Sequence, residues 1–274
     1  MDISAGSRPK ALLTLGLLLF TPGLGLAQAQ RPRKAQTPPV KPVPQPVAPV
    51  AADPQKLLET GQLAQEQGRF EEALAIYSRV VSLSLRDQRT LAVANMKIGS
   101  VYLAQRKLDN ALASFQRSLT LNPELAEAHN YYGETLGEQK QFTRALEWFN
   151  KAIAIDPTLL RARYNMGITY ARMGNIKYSE FVFRGLVKNS PTYSLGYDGL
   201  AVTLSRSGRA KEAIPYHEKA ISLLPGEPSY YYNLGLSYLI LGDTTKALEQ
   251  QQKLRTIDVA VADQLASVII KRRM

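Results

Sequence analysis

Side chains able to carry chemistry are sparse in this sequence, and their spacing is uninformative as catalysis. There is no cysteine, which removes disulfides, thiol nucleophiles and cysteine-ligated metals. The only histidines are His129 and His217. No His-Glu-x-x-His pair, phosphate-cradling glycine loop or calcium loop of alternating carboxylates is present. The one Gly-x-Gly, at 23 and 25, falls in an apolar leader. Carboxylates such as Glu71, Glu72, Glu134 and Glu138 sit where helix surfaces are expected, and a solvated face accounts for them. The residue types therefore predict no catalytic residue, no cofactor and no metal. The chemistry they do offer is recognition, through asparagine amides, arginine forks and fourteen tyrosines.

Those groups must be positioned by the elements around them, and these repeat. A small residue recurs at Gly61, Gly99, Gly133, Gly167, Ala201 and Gly235, at spacings of 38, 34, 34, 34 and 34. Seven places on stand Gly68, Arg106, Lys140, Gly174, Gly208 and Gly242. Twelve on stand Ala73, Ala111, Ala145, Ser179, Ala213 and Ala247. Sixteen on come Tyr77, Phe115, Phe149, Phe183, His217 and Gln251, and twenty-four on Leu85, Pro123, Pro157, Pro191, Pro225 and Val259. Phe142, Ala145, Leu146, Phe149, Ala152 and Ile153 recur at helical spacing. Two helices that cross closely need little or no Cβ at the crossing, and an aromatic fills the space beside it. Glycine allows a left-handed turn between the helices, and proline stops the second one. His129 and His217 fall in packing columns, which predicts structural roles for both. Pro215, early in a second helix, predicts a mild bend.

A 34-residue helix–turn–helix period with these columns resembles the tetratricopeptide repeat family, whose signature is W-x2-L-G-x2-Y, then A-x3-F, then P. The match is clearest in Tyr132-Gly133 with Ala145, Phe149 and Pro157, and in Ile98-Gly99-Ser100-Val101-Tyr102 with Ala111, Phe115 and Pro123. The resemblance implies an all-α fold: a right-handed superhelical α-solenoid of about six helix–turn–helix repeats. The expected organisation is a signal peptide at 1–29 and a proline-rich linker at 30–53. Repeats follow at 54–87, 92–125, 126–159, 160–193, 194–227 and 228–258. A capping helix and basic tail at 259–274 close the chain, with Val261, Leu265, Val268 and Ile269 on one stripe.

In this family the groove lined by the first helices is the usual binding face, and the resemblance implies a protein or peptide partner there. The residues expected to line it are Met96, Lys97, Asn130, Tyr131, Glu134, Arg161, Tyr164, Asn165, Arg172, Arg206, Tyr232 and Asn233. The carboxylate clamp of chaperone-binding members is not expected, because Leu195 and Gly199 stand at the corresponding places in the fifth repeat. The resulting expectation is a non-enzymatic scaffold or assembly factor. The rival from another class is an envelope enzyme subunit acting on glycan or wall polymer.

Arg8 and Lys10, the apolar run Ala11–Phe20 and the small residues Ala27 and Ala29 make a secretory leader pattern, with cleavage expected after Ala29. The periplasm or secretion is the expected destination. The alternative is an uncut anchor over 11–30. Residues 30–53 hold seven prolines and no aromatic, which predicts an extended tether or a docking strip for a proline-binding groove. The net charge of +11 divides into +5 in the repeats and +6 outside them. With no long basic run, that charge suits weak contact with anionic membrane or wall polymer better than nucleic acid.

Overall fold

The computed structural model describes residues 53–84 and 86–273, which fall into two compact units, 53–156 and 157–273. The expected signal peptide, the expected linker up to residue 52 and the Leu85 position of the proline column lie outside the described residues. The described residues form thirteen α-helices and no strand.

The first unit holds three helical hairpins. They pair α1 (Pro54–Glu66) with α2 (Phe70–Leu83), α3 (Gln88–Ala104) with α4 (Leu108–Leu121), and α5 (Ala126–Glu138) with α6 (Phe142–Ile155). Asp53 starts α1 by accepting from the Gln55 amide, and Asp87 starts α3 by accepting from the Arg89 and Thr90 amides, which satisfies donors the helix leaves open. Each hairpin turns through one left-handed residue: Gly68 at φ 72°, Arg106 at 59° and Lys140 at 62°. A long-range turn bond closes each, for example Lys107 N–H to Tyr102 C=O at 2.9 Å and Gln141 N–H to Leu136 C=O at 2.9 Å. The small-residue column then does what close crossing demands. A Cβ at Gly61 would stand 2.5 Å from the Tyr77 ring, at Gly99 2.5 Å from Phe115, and at Gly133 2.8 Å from Phe149. Tyr77, Phe115 and Phe149 are accordingly buried at the centre of their hairpins.

The second unit comprises α7 (Leu160–Arg172), α8 (Ile176–Asn189), α9 (Ser194–Arg206), α10 (Ala210–Leu223), α11 (Pro228–Ile240), α12 (Thr244–Arg255) and α13 (Val259–Arg273). Its turns use Gly174, Gly208 and Gly242 at φ 80°, 82° and 81°. Phe183 serves two glycines, Gly167 of its own hairpin and Gly199 of the next. One ring thus fixes both the pair and its stacking. In the last hairpin the aromatic column holds Gln251, and Leu265 of α13 supplies the missing bulk against Gly235. Leu265 and Ile269 are buried, with Val261 and Val268 packed against the same cluster. Helix α10 runs unbroken through Pro215, which is exposed.

Among the described residues no helix is long and apolar enough to cross a membrane, and no group of three metal-ligating side chains occurs.

Candidate functional site

The residues expected to line a groove separate by position within the first helices. In the first unit those three places before the small residue lie one helical turn from it, on the packed face. Met96 and Asn130 are each only 2% exposed, so neither offers a partner any surface. Two places before the small residue, Lys97 and Tyr131 are half-buried, and so is Glu134 on the other side. Tyr131 lies flat on Phe115, with ring centroids 5.6 Å apart and planes 4° apart, so its ring is held in place.

Lys97 reaches back from α3 to α1, where its Nζ donates to Gln62 Oε1 at 3.1 Å. A cleft of about 440 Å³ opens beside this contact. Leu58 and Val93 give it an apolar floor, and Glu59, Gln62, Arg89 and Lys97 form a rim of both charges and an amide. Lys97 is the one expected groove residue that lines it. Gln62, Glu59 and Arg89 fall outside the recurring columns, so the repeat pattern does not single them out.

In the second unit Arg161, Tyr164, Asn165, Arg172, Arg206 and Tyr232 are half-buried along α7, α9 and α11. Burial pushes the phenols of Tyr164, Tyr230 and Tyr232 above the ordinary tyrosine value, and pushes Tyr193 up to about 12. Burial likewise lowers Arg206. Tyr164 is packed edge-on to Phe183 with centroids 5.8 Å apart, and Tyr230 donates its hydroxyl proton to Ser194 Oγ at 2.9 Å. These tyrosines are committed to the fold first and offer a partner only their margins.

Asn233 is buried in the second unit. Its side-chain amide donates to Asp198 Oδ2 at 2.9 Å, and both are buried. Asp198 Oδ1 accepts from His217 Nδ1 at 2.8 Å. His217 Nε2 stands 3.1 Å from Ser237 Oγ, which in turn lies 2.8 Å from Ser205 Oγ. Carboxylate, imidazole and hydroxyl thus follow the order of a nucleophilic triad. The physical setting is different: His217, Ser205 and Ser237 are all 0% exposed, and Ser237 also bonds the Asn233 carbonyl. The chain of bonds satisfies polar groups where other hairpins place an aromatic ring. His129 also packs: its Nε2 lies 2.7 Å from the Pro123 carbonyl, and its ring tilts against Trp148 at 5.3 Å.

Family models described as tetratricopeptide repeat match residues 57–79, 96–159 and 199–258, together more than half of the chain. The chain belongs to the tetratricopeptide repeat family. Solved structures agree on the fold of the repeats. PilW, a widely conserved type IV pilus biogenesis factor, is similar with a TM-score of 0.65 and 21% identity, over 79% of this chain and 98% of PilW. A tetratricopeptide repeat protein from Parabacteroides merdae gives 0.60 and 18%, over 79% of this chain and 85% of its own. PilF of Pseudomonas aeruginosa gives 0.59 and 15%, over 78% and 96%. No curated protein matches the sequence. In the repeat's terms, the described residues form six helical hairpins and a closing helix, and the fifth hairpin carries a buried histidine at the aromatic column.

Proposed function

We propose that this tetratricopeptide repeat protein is a non-enzymatic scaffold or assembly factor that holds an extended segment of another protein against the first helices of its N-terminal repeats. The observation that carries this reading is the cleft between α1 and α3. Its floor is apolar, and its rim has the amide of Gln62 with Lys97, Arg89 and Glu59 within one lining. An extended peptide needs this combination: a surface for its side chains, an amide that both donates and accepts for its backbone, and charges that set direction. Export to the bacterial envelope is part of the proposal and rests on the leader pattern of residues 8–29.

The test is affinity capture from the native envelope with the unaltered chain and with Gln62→Ala plus Lys97→Glu. A specific partner captured by the first and lost by the second supports the cleft. Equal capture by both removes it as the site. Mass spectrometry of the mature N-terminus addresses export: a chain starting at Gln30 supports cleavage, and an intact residue 11–30 segment supports a tethered protein instead.

A further inference from the structure

The fourth hairpin, α7–α8, differs from the other five in two independent ways. The first is charge. Between residues 160 and 193 stand Arg161, Arg163, Arg172, Lys177, Arg184 and Lys188, against a single acid, Glu180. That is a net +5, equal to the net charge of the whole span 54–258, so the rest of that span balances to zero. The second is the outer row of the second helix. Tyr178 is 57% exposed and Phe181 75% exposed, with Met173 also exposed at the turn. In the remaining hairpins the place of Phe181 is taken by Ala75, Ala113, Glu147, Pro215 and Glu249. The place of Tyr178 is taken by Glu72, Asn110, Arg144, Glu212 and Lys246.

The two features coincide on one stripe of α8. Lys177, Tyr178, Phe181, Gly185 and Lys188 follow one another at helical spacing on the same side. Lys177 and Lys188 are exposed, and among the described residues no carboxylate pairs with either. The one acid of the helix, Glu180, is occupied by Arg184 and Arg209, both at 2.8 Å, which hold its carboxyl below the usual range despite partial burial. Tyr178 is set by stacking on Tyr170, with centroids 5.4 Å apart. Phe181 stands out from the helix into solvent.

We infer that this stripe is a contact site for an anionic lipid surface, with Phe181 and Tyr178 entering the interfacial layer and Lys177 and Lys188 meeting lipid phosphates. Protruding aromatics flanked by lysines are what an interfacial helix face needs: apolar area that leaves water, and flexible cations that reach the headgroups. A protein groove would be answered by a recess, and here the apolar groups project. The inference concerns the outer face of α8 and is independent of the cleft between α1 and α3, so either can fail alone.

The absence of cysteine allows a direct test on the full chain. Gly185→Cys places a unique thiol on the stripe, where an added Cβ meets nothing within 4 Å. Labelled with an environment-sensitive fluorophore, it is mixed with vesicles of phosphatidylcholine alone or of phosphatidylcholine with phosphatidylglycerol. The expected result is a blue shift with the anionic vesicles only, reversed by high salt. Lys177→Ala and Lys188→Ala should each weaken vesicle affinity about fivefold, and Phe181→Ser about tenfold. Unchanged circular dichroism and melting would show that these exposed substitutions leave the fold intact. Vesicle binding without a shift of the probe would place membrane contact elsewhere in the chain and overturn the inference. So would an equal shift with phosphatidylcholine alone, or a shift with an acidic polypeptide but not with vesicles.

Discussion

Lys140 and Arg106 occupy the left-handed turn position that glycine holds in four other hairpins, and at φ 62° and 59° each carries a Cβ where the backbone disfavours one. Lys140→Gly should stabilise the first unit by about 1 kcal/mol. Denaturant unfolding followed by the fluorescence of Trp148, the only tryptophan, would show it, and a loss of stability would contradict the assignment of strain. His217 shows the opposite kind of departure. It replaces an aromatic ring with an imidazole that needs Asp198 on one side and Ser237 on the other. Removing it leaves the buried Asp198 bonded to Asn233 but without the imidazole, and opens a cavity, so His217→Ala should cost about 3 kcal/mol. The sequence column marked His217 as a packing residue. Its partners Asp198, Ser205 and Ser237 were not visible there, because a hydrogen-bond chain between hairpins leaves no periodic trace. A similar limit explains the groove residues. Columns locate a helix face to within one turn: three places before the glycine stands buried Met96 in α3 but half-buried Tyr232 in α11, and two places before stand half-buried Lys97 and buried Asn233.

Helices and their pairing were legible because each column has one steric job that the structure repeats. The glycine and aromatic columns meet in Gly61 with Tyr77, Gly99 with Phe115, Gly133 with Phe149 and Gly167 with Phe183. Helix α13 is the informative exception: its Leu265 lies against Gly235 in place of an aromatic from the hairpin itself. Leu265→Ala should therefore cost about 3 kcal/mol through the cavity it leaves. Hydrogen exchange should show the loss first in α11 and α12, and unaltered protection there would contradict the capping role. The phenols of α7, α9 and α11 give the second unit a signature at high pH. Burial raises Tyr164, Tyr193 and Tyr230 above the unfolded value near 10. The neutral phenol is the favoured form in the fold, so this stability is complete below pH about 10 and is lost as pH rises through the folded values. For Tyr193 that window runs from about 10 up to about 12. Phenolate absorbance should thus appear together with unfolding, and early titration of these groups in an intact fold would argue against their burial.

For the molecule as a whole, the repeats supply a frame, and the departures from the repeat supply whatever is particular to this chain. They are the mixed-charge cleft between α1 and α3, the buried histidine of the fifth hairpin, and the basic, aromatic outer face of the fourth. None of these follows from the columns, since the columns record what the hairpins share. The cleft carries the functional reading, because it joins an apolar floor to a rim that can meet a peptide backbone. Its most direct test is hydrogen–deuterium exchange on the full chain, alone and in complex with the partner recovered by affinity capture. New protection is expected in α1 and α3, around Leu58, Gln62, Val93 and Lys97, and it should disappear with Gln62→Ala plus Lys97→Glu. Protection confined to other helices, with α1 and α3 exchanging as in the free chain, would contradict it.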